Sequence, residues 1–298
     1  MKTRPRHEGV IVPLVTPVTA DGRLDDAAAE RLVAHVAGGG CGLLVLGTTG
    51  EVASLSATLR RRYVEIAVRV AAGRVPVFAC VAHNCFDDAV ALARTHLEQG
   101  VDAVVGMLPN YFELKPTDMR RYFELLAERT PGPLYLYNMP ATTGMSLPLD
   151  VVDALAQRAN VIGMKDSEPT PGRREQVAQR FGGREDFRLF MGIAADAVAA
   201  LRLGFHGVVP SSGNLQPALW RDLFAAARAG RWAEAERLHA DAVALGEIFF
   251  AGQLLGESLA ALKAGLAAQG LCGPDMLPPL HALPAEAQTA IREKLARR

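Results

Sequence analysis

Five lysines stand against 27 arginines in this chain, and one of the five is placed for chemistry. Lys165 ends the apolar run Val161-Ile162-Gly163-Met164, so a strand there carries its stem inward and its amine to the strand end. An amine withdrawn from water gives up its proton more readily and becomes a nucleophile toward carbonyl carbon. The competing reading is a strand-end cation paired with Asp166 in solvent. Lys2, Lys115, Lys263 and Lys294 fall in tails, loops or helical faces. Tyr137 closes another apolar run, Leu134–Tyr137. A phenol beside an iminium relays protons, although a buried tyrosine is more often only packed and hydrogen-bonded. Gly47-Thr48-Thr49-Gly50-Glu51 follows a third run. Its glycines permit a tight turn whose N–H groups, with the two threonine hydroxyls, suit a carboxylate; an ordinary turn between strand and helix is the alternative.

Residues so far apart in the chain need a scaffold that collects strand ends. Eight short apolar runs read as strands: Ile11–Val15, Leu43–Leu46, Val75–Val81, Ala103–Met107, Leu134–Tyr137, Val161–Met164, Arg188–Met191 and Gly207–Val209. Helical patterns alternate with them, for example Ala57–Ala72 behind Ser56 and Met119–Arg129 behind Asp118. Pro148 and Pro217 sit where a first helical turn begins, and Gly73, Gly100 and Gly204 close helices before the next strand. Eight strand–helix units predict an α/β fold, a closed (β/α)8 TIM barrel over 1–230. About three more helices over 231–298 form a C-terminal extension of the same domain. Active sites of such barrels lie at the C-terminal strand ends. Those positions carry Thr16-Pro17, Gly47–Glu51, Pro109-Asn110-Tyr111, Tyr137-Asn138, Lys165-Asp166, Gly192 and Pro210-Ser211.

Composition narrows the partners. Lys plus Arg and Asp plus Glu are balanced at 32 each, which gives no global field for nucleic acid or anionic lipid. A small molecule is the expected partner. The four cysteines form no CxxC pair, and the seven histidines are scattered, so the reading includes no metal and a reduced, cytoplasmic location. No apolar run approaches the ~20 residues of a membrane span. The stretch Val10–Val18 is broken by Pro13 and Pro17 and reads as a strand rather than a signal peptide. Gly38, Gly39, Gly40 and Gly42 resemble a phosphate loop, but they end a helix and enter a strand, the reverse of a dinucleotide loop.

Gly47-Thr48-Thr49-Gly50-Glu51, Tyr137-Asn138-Met139-Pro140, Gly163-Met164-Lys165-Asp166-Ser167 and Gly204-Phe205-His206-Gly207 occur in an order and spacing that resembles the dihydrodipicolinate synthase/N-acetylneuraminate lyase superfamily of class I aldolases. The resemblance spans essentially the whole chain. It implies that Lys165 is the Schiff-base lysine and Tyr137 the general acid/base. It implies that Thr48 and Thr49, with Gly47, take the 2-oxo carboxylate, and that Thr48 joins the proton relay. Tyr111 would complete a relay across a subunit contact, and Gly192 and Val209 would line the pyruvyl pocket. No cofactor and a homotetramer are implied as well.

Two departures bear on the substrate. The synthase proper has an arginine two places after the proline of the tyrosine strand, where it binds the semialdehyde carboxylate; here that place is Thr142. Ile193-Ala194-Ala195 follows Gly192, where sugar-acid aldolases often carry polar residues. The expected function is therefore a Schiff-base lyase that cleaves a 2-keto-3-deoxy sugar acid or 4-hydroxy-2-oxo acid to pyruvate and an aldehyde. The alternatives are the dihydrodipicolinate synthase reaction with aspartate semialdehyde, a dehydratase using the same imine, and a non-catalytic barrel that binds a 2-oxo acid.

Overall fold

A computed structural model describes residues 7–250 and 254–298. Eight strands follow one another around a closed barrel: β1 (Gly9–Pro13), β2 (Gly42–Val45), β3 (Val77–Cys80), β4 (Ala103–Met107), β5 (Leu134–Asn138), β6 (Val161–Asp166), β7 (Arg188–Met191) and β8 (Gly207–Val208). The helices between them are α1 (Asp26–Gly38), α2 (Ala57–Ala71), α3 (Phe86–Glu98), α4 (Pro116–Arg129), α5 (Pro140–Thr143), α6 (Leu149–Ala156), α7 (Arg173–Phe181) and α8 (Ala197–Arg202). After β8 come α9 (Pro217–Arg228), α10 (Trp232–Phe250), α11 (Leu255–Ala268) and α12 (Ala285–Ala296), the last three being the expected C-terminal helices. The fold is the anticipated (β/α)8 barrel. Among the described residues, no single helix is long and apolar enough to cross a membrane.

Element boundaries moved where a local group outcompeted the pattern. The first strand begins at Gly9 rather than Ile11 and stops at Pro13, because the Val15 N–H turns aside to the Asn214 side-chain oxygen at 3.2 Å. The fourth helix starts at Pro116, three residues before the expected Met119, since proline is pre-set for a first helical position. Asp118 is then inside the helix and accepts the Lys115 N–H at 3.3 Å instead of capping the terminus itself. Ser56 does cap α2, accepting from the Leu59 N–H at 3.3 Å. The glycine cluster closes α1 and enters β2 with Gly40 at φ 79°, a turn rather than a phosphate loop.

The chain divides into two compact units, one of residues up to 11 together with 78–209, the other of 12–77 with 210–298. In the first, β1 pairs with β8 and β3 to β8 pair in succession, all parallel. Inward side chains alternate along each strand. His7, Phe78, Tyr135 and Phe190, all from odd-numbered strands or their entry, form one aromatic layer, as barrel interiors are built in layers of four. Their ring centroids lie 4.8 Å (His7–Phe78), 5.2 Å (Phe78–Tyr135) and 5.7 Å (Tyr135–Phe190) apart. His7 Nδ1 and the Tyr135 hydroxyl are 3.0 Å apart, and burial lowers the His7 pKa and raises that of Tyr135. In the second unit, Tyr63 and Trp220 are fully buried, and the Tyr63 hydroxyl donates to Val15 O at 2.7 Å.

Candidate active site

Lys165 and Tyr137 are neighbours by register. β5 and β6 pair Tyr137 with Lys165 and Asn138 with Asp166, so alternation sends the first two side chains to one face and the second two to the other. Both members of the first pair are buried, and Lys165 Nζ stands over the Tyr137 ring, 4.0 Å from its centroid. The Tyr137 ring thus forms one wall beside the Lys165 amine. The aromatic layer continues this environment, with Phe190 paired beside Lys165 on β7. Gly192 provides room for the lysine: a Cβ there would fall on Ser167 Oγ and stand 3.0 Å from Lys165 Cε. The Gly192 N–H donates to Asp166 O at 2.7 Å. Val209 is buried just past β8, its N–H donating to Met191 O at 2.8 Å.

Asp166 does not pair with Lys165 in solvent. Its carboxylate is buried on the opposite face, accepting from Arg173 Nε at 2.9 Å and from Asn138 Nδ2 at 3.0 Å. Burial is the larger influence and raises its pKa against the pull of Arg173. Asn138 Nδ2 also donates to Glu168 at 2.9 Å, and its Oδ1 accepts the Leu147 N–H at 3.0 Å. Arg173 Nη2 reaches Leu147 O at 2.9 Å. Burial pushes the Glu168 carboxyl up, yet hydrogen bonds from Ser146, Asn138 and Thr170 outweigh it and leave the pKa below its usual value. This network stands behind Lys165 and ties the segments after β5 and β6 together. Sequence reading missed Arg173 and Glu168, because their partners come from a neighbouring strand and loop rather than from one helix face.

Thr142 lies half-buried in the short α5, its hydroxyl donating back to Met139 O at 3.3 Å. Arg158 pairs with Glu128 at 3.0 Å, and Arg173 is committed to Asp166, so neither supplies the cation absent at position 142. Tyr111 is 79% exposed beside Phe112, their rings 4.9 Å apart edge to face.

In the other unit, the Gly47–Glu51 segment is a 3-10 turn held under strain at both ends. Leu46 and Glu51, before and after it, take left-handed backbone angles of φ 60° and φ 59°. For residues other than glycine that costs about 1–3 kcal/mol each and persists only where surroundings enforce it. Thr49 is buried and Thr48 half-buried. The Thr16 hydroxyl donates to Gly50 O at 2.7 Å, and buried Arg60 donates to Val52 O at 2.7 Å and Leu55 O at 3.1 Å. Lys263 corrects the sequence reading: it lies on a helix but is buried, with its amine 2.5 Å from Glu51. Lys2 lies outside the described residues.

One group was unsuspected from sequence. His83, Cys85 and Asp88 bring three potential metal ligands within 4.8 Å of one another where the segment after β3 enters the first turn of α3. The His83 Nδ1 lone pair already accepts the Cys85 N–H at 3.0 Å, and the group sits at the positive end of α3, which disfavours a cation.

Against known proteins, the family model described as the dihydrodipicolinate synthetase family matches residues 6–298. A 4-hydroxy-tetrahydrodipicolinate synthase of Halorhodospira halophila (strain DSM 244 / SL1) is 32% identical over 292 residues, 96% of this chain and 95% of that protein. The dihydrodipicolinate synthase structure from Bacteroides thetaiotaomicron superposes with a TM-score of 0.93 at 32% identity, covering 99% of this chain and 100% of that one. YagE, a prophage protein of the dihydrodipicolinic acid synthase family from E. coli K12 solved in complex with pyruvate, superposes with a TM-score of 0.91 at 28% identity, covering 97% and 98%.

Proposed function

The chain belongs to the dihydrodipicolinate synthetase family, and from that premise we propose that Lys165 holds pyruvate, or a larger 2-oxo acid, as a Schiff base while a carbon–carbon bond is made or broken. The family is one of lysine Schiff-base lyases and aldolases, and this chain is an enzyme of that class. In the cleavage direction the neutral amine of Lys165 adds to the 2-oxo carbon, and loss of water leaves a protonated imine. The C3–C4 bonding pair flows toward that imine as the C4 hydroxyl gives up its proton, releasing an aldehyde and leaving an enamine. Protonation of the enamine at C3 and addition of water to the imine return pyruvate and the free lysine. Tyr137 moves the protons of these steps, together with Thr48 and a neighbouring subunit's Tyr111. Thr49 and the Gly47 turn take the carboxylate, and Gly192 and Val209 bound the pyruvyl group. No metal or organic cofactor enters this chemistry.

The observation that carries the reading is the Lys165 amine 4.0 Å from the centre of the Tyr137 ring, both residues buried at paired strand positions. The test is borohydride trapping with pyruvate: one reduced pyruvyl group on Lys165 by peptide mapping, and none in Lys165→Ala. An adduct elsewhere, or none in the wild type, ends the proposal.

On substrate, Thr142 favours 2-keto-3-deoxy or 4-hydroxy-2-oxo acids. A desolvated carboxylate without a cationic partner costs several kcal/mol. The curated relative from H. halophila carries the synthase name and supports the second reading, condensation of pyruvate with aspartate semialdehyde. kcat/KM for the two substrate classes under one set of conditions decides between them. We also infer a homotetramer, its contact covering the exposed Tyr111 and Phe112, and a cytoplasmic location, in keeping with four cysteines of which none forms a disulfide.

A further inference from the structure

We infer that Lys263 is a positioning residue for 2-oxo acid binding, acting through Glu51 on the Gly47–Gly50 turn; this rests on the proposed role of that turn in holding the carboxylate. Four observations within one compact unit converge. The Glu51 and Lys263 side chains are each 1% exposed and stand 2.5 Å apart as an ion pair. Glu51 also accepts the Leu277 N–H at 3.0 Å, and Lys263 donates to Asp275 O at 2.7 Å. Both side chains are therefore anchored to the segment that follows α11. Glu51 itself takes a left-handed backbone conformation, and its N–H donates to Thr48 O at 3.1 Å. Displacing the carboxylate would release the strained residue that closes the turn, and Thr48 would move with it.

The pair is an expensive way to fill space. Apolar side chains of similar volume would occupy the same place with no ionic desolvation. They could not hold a glutamate in a left-handed turn, a geometry that survives only where its surroundings over-determine it. Thr16 and Arg60 grip the same turn from other sides, through Gly50 O, Val52 O and Leu55 O. Of these holds, only the Lys263 pair engages the glutamate side chain with a full opposite charge. The helices after the barrel thus contribute to substrate affinity.

The test uses the full-length protein with Glu51→Gln and Lys263→Met combined, a neutral pair of similar size that avoids stranding one buried charge. Two quantities are read. One is amide hydrogen exchange of a peptide covering residues 46–52, with a β6 peptide as control. The other is the pyruvate concentration that half-saturates borohydride trapping at Lys165. The expected result is at least tenfold faster exchange in the turn alone, with half-saturation raised about tenfold or more and the saturated trapping rate kept within about threefold. A purely structural pair would lower the melting temperature and leave half-saturation where it was. A folded double variant with both quantities within twofold of wild type overturns the inference. If the wild type itself gives no adduct, the Schiff-base reading fails, and the exchange of the turn alone decides whether Lys263 positions it.

Discussion

Replacing Gly192 with alanine separates placement of the Lys165 amine from integrity of the barrel. A Cβ at residue 192 would fall on Ser167 Oγ and stand 3.0 Å from Lys165 Cε and 3.1 Å from Asp166 O. Carbon atoms settle at about 3.5–4.0 Å, so the lysine stem must give way by about half to one ångström while the serine hydroxyl swings aside. Overpacking of this kind costs about 1–3 kcal/mol of stability. A misplacement of about 1 Å at a reacting group is worth as much as about 10²-fold in rate. Gly192→Ala should therefore fold, melt at a lower temperature and trap pyruvate about 10- to 10²-fold more slowly. Adding Ser167→Ala removes the worse contact but leaves the approach to Lys165, so the melting temperature should recover and the rate should not. Trapping rates at fixed pyruvate, measured alongside thermal unfolding, check both halves. A Gly192→Ala protein that traps within twofold of wild type would refute the view that this glycine reserves space for the lysine stem.

Tyr137→Phe keeps the ring under the Lys165 amine and removes only the hydroxyl, so adduct formation should slow while kcat falls by about 10² or more; a kcat within twofold of wild type would make Tyr137 a packing residue. Arg173→Met leaves the buried Asp166 carboxylate without its cation and should cost about 3–5 kcal/mol. Because burial already raises the Asp166 pKa, the deprotonated form is the disfavoured one, so this loss grows as pH rises above the carboxylate range and shrinks below it. Urea unfolding at pH 4 and pH 7 reads the difference, and an equal loss at both would place the effect outside Asp166. Of the four thiols, Cys85 is exposed, whereas burial pushes Cys41 and Cys272 up to about 12. One thiol should react quickly with an aromatic disulfide reagent at pH 8 and four after denaturation; rapid reaction of more than one in the native protein would contradict the packing around the others.

The placement of Lys165 was legible because a lone lysine closing an apolar run is a strong local signal, and the strand period then fixes its face. The same period placed Tyr137 beside it once both strands were identified. The barrel was legible because eight apolar runs alternate with capped amphipathic stretches, each readable within about 15 residues. Asp118 was misread as a cap because Pro116, two places earlier, set the helix start. The competing reading, Asp166 as a solvent partner of Lys165, rested on adjacency in sequence, whereas alternation along β6 sends the two side chains apart. Lys263 looked like one more helical lysine, since nothing near it in the chain announces Glu51. Partners of that kind are fixed by tertiary packing, which no local pattern encodes.

The distance along the chain between Glu51 and its holders has a consequence for biosynthesis. Leu277 emerges 226 residues after Glu51, which at about 5–20 residues per second is a delay of about 10–45 s. Until Lys263 and then Leu277 have been added, the Glu51 carboxylate lacks both the ammonium and the N–H that hold it in the folded protein. The turn that closes on Glu51 settles after the strands of the barrel have been translated. On the proposed roles, Lys165 is synthesised before Lys263, so the amine precedes the side chain that positions the turn proposed to hold the carboxylate.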